Sequence, residues 1–221
     1  MTIIVEIGIS MILVAAGYIY VCFYLNKEKV SVKDAKVFRL TRNKIVYLIG
    51  GICSIACLII LFEEFYTLSL IQNIKLLSLV LVMLPIAAID FRLQKIPNQL
   101  VIAAVAIRGV IYIAEFSSSS TKALSTLKDN VIGALIIGMF FLLLLLVFKN
   151  SIGMGDIKLF AVMGLYQGLW GAVNAVFFSL VVSFVISIAL LITRKKGRKD
   201  SISFGPSILL GTIIAIGLTG M

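Results

Sequence analysis

Read only for apolar and polar positions, the chain is a succession of long apolar runs parted by short polar joints. The runs cover approximately 7–25, 45–62, 76–90, 99–114, 130–148, 157–169, 170–193 and 203–220. About 20 residues of helix cross a bilayer, and most of the runs approach that length. The run 157–169 is short for a full crossing and reads as a tilted or partly re-entrant helix. The expected fold is therefore all-α: a polytopic transmembrane helix bundle of about eight spans, or seven if that short run does not cross.

Composition agrees. Of the 221 residues, 61% are hydrophobic and 14% charged, with a mean hydropathy of +1.15. A soluble domain has about 45–50% apolar and about 25% charged residues. Eight spans leave no room for a separate soluble domain. The formal charge of +10 would suggest nucleic acid as a partner on a soluble protein. On this chain it has a simpler origin, because Lys and Arg gather in cytoplasmic loops of membrane proteins. No nucleic-acid partner is expected, and membrane lipid is the surrounding partner.

Loop charge sets the orientation. The loop 26–44 carries Lys27, Lys29, Lys33, Lys36, Arg39, Arg42 and Lys44, and 194–200 carries Arg194, Lys195, Lys196, Arg198 and Lys199. With eight spans these two loops share one face with 91–98 and 149–158. Sixteen of the twenty Lys and Arg then lie on that face, which is read as cytoplasmic, with both termini outside. The N-terminal run has neither a basic region before it nor an Ala-x-Ala-like cleavage site after it, so it is expected to be a retained span. The segment Ser117-Ser118-Ser119-Ser120-Thr121 is expected to be a polar external loop. No internal repeat is visible.

The chain has no histidine, which removes Ser-His-Asp and Cys-His catalysis and the usual His-rich metal sites. Cys22, Cys53 and Cys57 form no Cys-x-x-Cys pair and each lies in an apolar run. They are expected to be buried inert thiols. No metal and no cofactor are expected.

Two acids carry the candidate chemistry. Asp90 ends an apolar run in Ile89-Asp90-Phe91-Arg92-Leu93-Gln94-Lys95-Ile96-Pro97-Asn98. Taken alone it reads equally as a solvated helix end, since interfacial charge is cheap. Asp156 lies in Gly153-Met154-Gly155-Asp156-Ile157-Lys158. The glycines permit unusual backbone conformations or a close approach by another chain, and Asp156 is also a candidate N-cap. As a pair the acids say more. They sit at the same expected depth on different spans, beside the two short inner loops. Two carboxylates brought close favour one proton between them. The ionised member then takes a proton from water, and the protonated one donates to a scissile carbonyl.

These segments resemble the prepilin peptidases, GxGD-type membrane aspartic proteases that process type IV pilins and pseudopilins. The first family motif is Asp followed by Ile-Pro-Asn, here Asp90 with Ile96-Pro97-Asn98. The second is Gly-x-Gly-Asp-x-Lys, here Gly153 to Lys158. The third is Phe-Gly-Pro before an apolar run, here Phe204-Gly205-Pro206. The resemblance spans about 75–220 and implies a catalytic membrane core at 75–221. Residues 1–74 are then additional transmembrane spans with a basic cytoplasmic loop. It implies Asp90 and Asp156 as the catalytic pair, and Gly153 and Gly155 as shapers of the loop that admits substrate backbone. Lys158 is either an orienting partner of Asp156 or an inside positive charge. Pro97 and Asn98 are expected to start the next helix, with Asn98 capping it. Arg92 and Lys95 are topology charges first and substrate contacts second. The implied substrate is a prepilin or pseudopilin, whose short basic leader is removed at the cytoplasmic face of the inner membrane.

The chain departs from larger, bifunctional relatives in lacking an insertion with two Cys-x-x-Cys pairs. It is thus similar to the small monofunctional peptidases, including those of tight-adherence (Flp) pili, and methyl transfer is not expected. Ile89 stands where presenilin-like relatives have Tyr. Three other readings stay open: an archaellin-type preflagellin peptidase with the same acids, a proton- or cation-coupled transporter using them, and a non-catalytic assembly subunit. Arg108, inside the fourth run, is expected to snorkel or to pair with Glu115 seven residues on, rather than to act as a functional intramembrane charge.

Overall fold

The computed structural model describes residues 2–29, 51, 69–148, 153–193 and 203–220. Among these are six helices and no strand: α1 Thr2–Lys29, α2 Leu70–Leu93, α3 Asn98–Ser118, α4 Ser120–Val147, α5 Met154–Ile192 and α6 Gly205–Thr219. Five of them are long and apolar enough to cross a membrane, and α6 is a shorter apolar helix. A lipid-facing chain must satisfy its backbone polar groups internally, which helices do. The molecule is an all-α polytopic transmembrane bundle. Apart from Gly51, the second apolar run, 45–62, lies outside the described residues. So do Cys53, Cys57 and most of the two basic loops. Cys22 is a half-buried free thiol on α1.

α1 and α2 run side by side in the same direction. Near both starts, Asn73 donates its amide to Glu6 at 3.0 Å. Toward the other end, the Tyr20 hydroxyl donates to Gln99 at 2.6 Å, just past the end of α2. Parallel neighbours in a membrane need an odd number of crossings between them, the place the sequence gives to 45–62.

The polar stretch 117–121 is not a loop. Ser117 and Ser118 finish α3, Ser119 alone links the helices, and Ser120 and Thr121 begin α4. Hydroxyls that bond back to the preceding turn let serine and threonine stay helical here. Ser117 bonds to Ala114 O at 2.9 Å, and Thr126 to Lys122 O at 2.9 Å.

α5 is two helices joined at a break. Gly168 has φ 71° and ψ −172°, a conformation that favours glycine. Phe160 packs its ring on Phe204, and Ser179 donates to Ile208 O and lies against Gly211. In an unbroken helix Phe160 and Ser179 would stand about 28 Å apart, whereas their partners on α6 span only about 10 Å. The chain therefore folds back at Gly168, and the limbs 154–167 and 169–192 run side by side. This is the boundary expected between the runs 157–169 and 170–193.

Close backbone approach seats the fold-back on α4. A Cβ on Gly164 would lie 2.6 Å from Ala134 Cα, and one on Gly133 would lie 2.5 Å from Leu169 N. Small residues at membrane helix contacts permit this. Beside the break the Leu165 carbonyl takes donors from α3: Arg108 Nε at 3.1 Å and the Tyr112 hydroxyl at 3.1 Å. Arg108 is 1% exposed and pairs with Glu115 through two bonds of 3.1 Å, as expected from their spacing. Its guanidinium lies over the Tyr112 ring at 3.6 Å, and Asn130 donates to the Tyr112 hydroxyl at 3.1 Å. The buried Tyr166 hydroxyl donates to Ala104 O at 2.8 Å. Three helices thus meet in one polar knot that holds the reversal.

Removing the Arg108 guanidinium leaves Glu115 charged without its partner and Leu165 with one donor fewer. Arg108→Met is expected to destabilise the fold by about 3–5 kcal/mol. Adding Glu115→Gln should recover part of that loss, since no buried charge is then stranded. Unfolding of the two variants in micelles checks the order; equal stability of both with the wild type would remove the knot's structural role.

Candidate active site

Asp90 closes the last full turn of α2. Its main-chain carbonyl accepts from Gln94 N at 2.8 Å, the cap that ends the helix. Gln94 adopts a left-handed φ of 52°, the one such non-glycine among the described residues. That turn sends the chain across to Pro97. The Asp90 side chain is only 5% exposed. Its Oδ2 accepts from Gly205 N at 2.7 Å, with a further backbone hydrogen bond from Phe204. The first N–H groups of a helix lack partners within it and favour negative charge. Asp90 is therefore held at the N-terminus of α6, where Pro206 occupies a first-turn position that needs no donor. Gly205 has no alternative: a Cβ there would lie 2.9 Å from both Asp90 Cβ and Asp90 Oδ2.

Asp156 sits at the start of α5. The N-cap is Gly153, so Asp156 is a first-turn residue and not the cap itself. Its carboxylate accepts a hydrogen bond from the Gly153 backbone N–H, the reach-back of a first-turn acid to its N-cap. The half-buried Asp156 carboxylate lies in the electrostatic field of Asp90. The structure thus brings the two acids into interaction, each anchored at a helix N-terminus.

Of the two roles expected for the glycines, the structure shows close approach and not unusual backbone angles. Gly153 has φ −71° and ψ 138°, and Gly155 is helical; neither has the positive φ that demands glycine. Gly155 is small because α5 passes hard against the 94–97 turn. A Cβ there would lie 2.8 Å from Ile96 Cβ. The second motif is thereby docked directly on the first.

Asn98 does not cap α3. Pro97 is the N-cap, with φ −67° and ψ 124°, and Asn98 is the first helical residue. The proline ring already fixes that φ, so Pro97 makes the turn and the Asn98 side chain reaches across instead. Its Oδ1 accepts from Lys158 Nζ at 2.8 Å. Lys158 therefore fastens α5 to α3, with its ammonium on Asn98. Arg92 and Lys95 are exposed on the turn after Asp90, and the Arg92 guanidinium lies 5.8 Å from the Phe91 ring centre.

Sequence reasoning missed the part played by Phe204 and Gly205, whose backbone N–H groups hold Asp90. The available signal was the Gly-Pro pair opening an apolar run, which marks a helix start and so an anion-holding end. It also missed the left-handed Gln94, for which no residue pattern gives a signal. Chemically, two carboxyls that feel each other's charge, with backbone donors on both, favour a state in which one is protonated and the other ionised, so they can serve as acid and base.

A family model described as the type IV leader peptidase family matches residues 77–192. A prepilin leader peptidase/N-methyltransferase of Bacillus subtilis (strain 168) is 25% identical over 151 residues, covering 67% of this chain and 56% of that protein. The chain spans little more than half the length of this curated relative. No solved structure matches. The matched stretch takes in more than half of the chain, both aspartates, all of α3 to α5 and most of α2. On that match, the chain belongs to the type IV leader peptidase family.

Proposed function

We propose that this protein is a membrane aspartic endopeptidase that removes the short basic leader from type IV prepilins or pseudopilins. The observation that carries the reading is the convergence of three motif segments around two interacting acids. Asp90 stands against Gly205, Gly155 stands against Ile96, and Asp156 feels the charge of Asp90. One carboxylate takes the proton of the attacking water, and the other, protonated, donates to the scissile carbonyl. The backbone donors at the two helix starts keep both carboxyls aimed at the substrate. Family membership supports the substrate class, and the relative's printed name supports leader peptidase chemistry. Methyl transfer, the second activity in that name, is not part of the reading.

The catalytic core is then 75–221, with 1–74 as an addition to it. The active face lies on the cytoplasmic side of the inner membrane, the side to which the loop charges point. A leader that stays in the cytoplasm, followed by an apolar helix in lipid, presents its junction at that depth. Gly153 and Lys158 support Asp156, the first directly and the second through Asn98 and Pro97. Arg92 and Lys95 border the approach.

Cleavage of a candidate prepilin in membranes tests the pair. Asp90→Asn and Asp156→Asn should each lower the rate by at least about 10²–10⁴-fold, with expression and insertion unchanged. Continued cutting by both variants would make the acids structural and return the transporter and assembly-subunit readings. Because one acid must be ionised and the other protonated, the wild-type rate should rise and then fall with pH. A flat profile argues against shared acid–base work.

Packing at the site gives a second test. Gly205→Ala forces Asp90 aside and should cost about 100-fold in rate, the scale of an ångström-sized misplacement. Gly155→Ala should impair cleavage through Ile96, and adding Ile96→Ala should restore it. Failure of that rescue would show that Gly155 matters for something other than close approach.

A further inference from the structure

The end of the bundle opposite the aspartates holds a basic cleft. α2 begins there, α3 ends and α4 begins, and between them lies a cleft of about 160 Å³. Lys75 and Lys122 line it together with Glu115, Ser119, Ile71 and Ala123. Three features make it anionophilic.

First, the one acid in the lining is already engaged. Both Glu115 oxygens are held by Arg108 at 3.1 Å. Lys75 lies within electrostatic range of that pair, but it makes no hydrogen bond or salt bridge through its ammonium among the described residues. Counting Arg108, the local charge is positive. Second, the half-buried Lys75 lines the cleft from α2, and Lys122 stands exposed on its α4 side. Third, α4 starts at this cleft with no side-chain cap on Ser119. Its first N–H groups are therefore open to an external acceptor. Two ammonium groups and an uncapped 28-residue helix start together fit a tetrahedral oxyanion.

We propose that this cleft binds a phosphate group, supplied by the headgroup of an anionic phospholipid. The location favours the lipid source. The cleft sits where apolar helices end, the depth of lipid headgroups. Ile71 and Ala123 give it an apolar wall, and exposed Phe116 and Leu124 stand on the adjoining turns of α3 and α4. The proposal is independent of any role for Asp90 and Asp156.

The test is lipid binding to the full chain in neutral detergent, followed by native mass spectrometry and by thermal midpoint. The probes are phosphatidylglycerol, phosphatidylcholine and inorganic phosphate. Phosphatidylglycerol should be retained and should raise the midpoint, and Lys122→Gln and Lys75→Gln should each weaken it roughly tenfold, the scale of one charged hydrogen bond. Lys122 is exposed, so its variant should fold as the wild type does, and it carries the test if Lys75→Gln does not fold. If inorganic phosphate alone gives the same lysine-dependent shift, the phosphate site stands and its source is free phosphate. If phosphatidylglycerol binds no better than phosphatidylcholine, or binding ignores both lysines, the proposal is overturned.

Discussion

A helix that begins among apolar neighbours cannot leave its first N–H groups to water. This constraint explains more of the molecule than any other. α6 begins against the Asp90 carboxylate, and α5 begins with Asp156 turned back on Gly153. Each acid therefore completes a helix start. The same requirement appears at the Gly168 break, where Arg108 and Tyr112 supply the Leu165 carbonyl. Sites of backbone interruption in this bundle are the sites where polar side chains gather.

That double role bears on how the candidate site is held. A carboxylate tethered by backbone donors keeps its orientation without long flexible partners. Its attachment is to a rigid helix rather than to a loop, which limits its drift. Gly205 and Gly155 add steric contact to the tether, one against Asp90 and the other against Ile96. The three motif segments lock each other, and none is placed independently.

Much of this was legible in the sequence. The apolar runs predicted the helices, because length and hydropathy alone decide what crosses lipid. The boundary between the runs 157–169 and 170–193 and the Arg108–Glu115 pair also followed, from the apolar pattern and from helical spacing. What sequence obscured were contacts made across the fold. Asn98 was assigned to capping by residue type, but Pro97 had already made the turn and freed its amide for Lys158. The glycines of the second motif were assigned to unusual backbone angles or to close approach, and sequence could not say that Gly155 serves the second, against Ile96. The serines at 117–121 were assigned to a loop by polarity, although all but Ser119 lie within helices and the Ser117 hydroxyl bonds back to Ala114 O. In each case a local propensity was right about chemistry and silent about the neighbour.

The fold-back at Gly168 also constrains how the protein is made. The limb 154–167 is roughly 21 Å long, short of the roughly 30 Å hydrocarbon layer. Such a segment is poorly suited to enter a bilayer as a separate span. Its length favours entry together with 169–192, as a helical hairpin. Asp156 then reaches its depth only after the second limb is made, and the backbone donors that hold Asp90 arrive later still, with α6. A product cut short before α6 would carry both acids but lack the Gly205 N–H that holds Asp90.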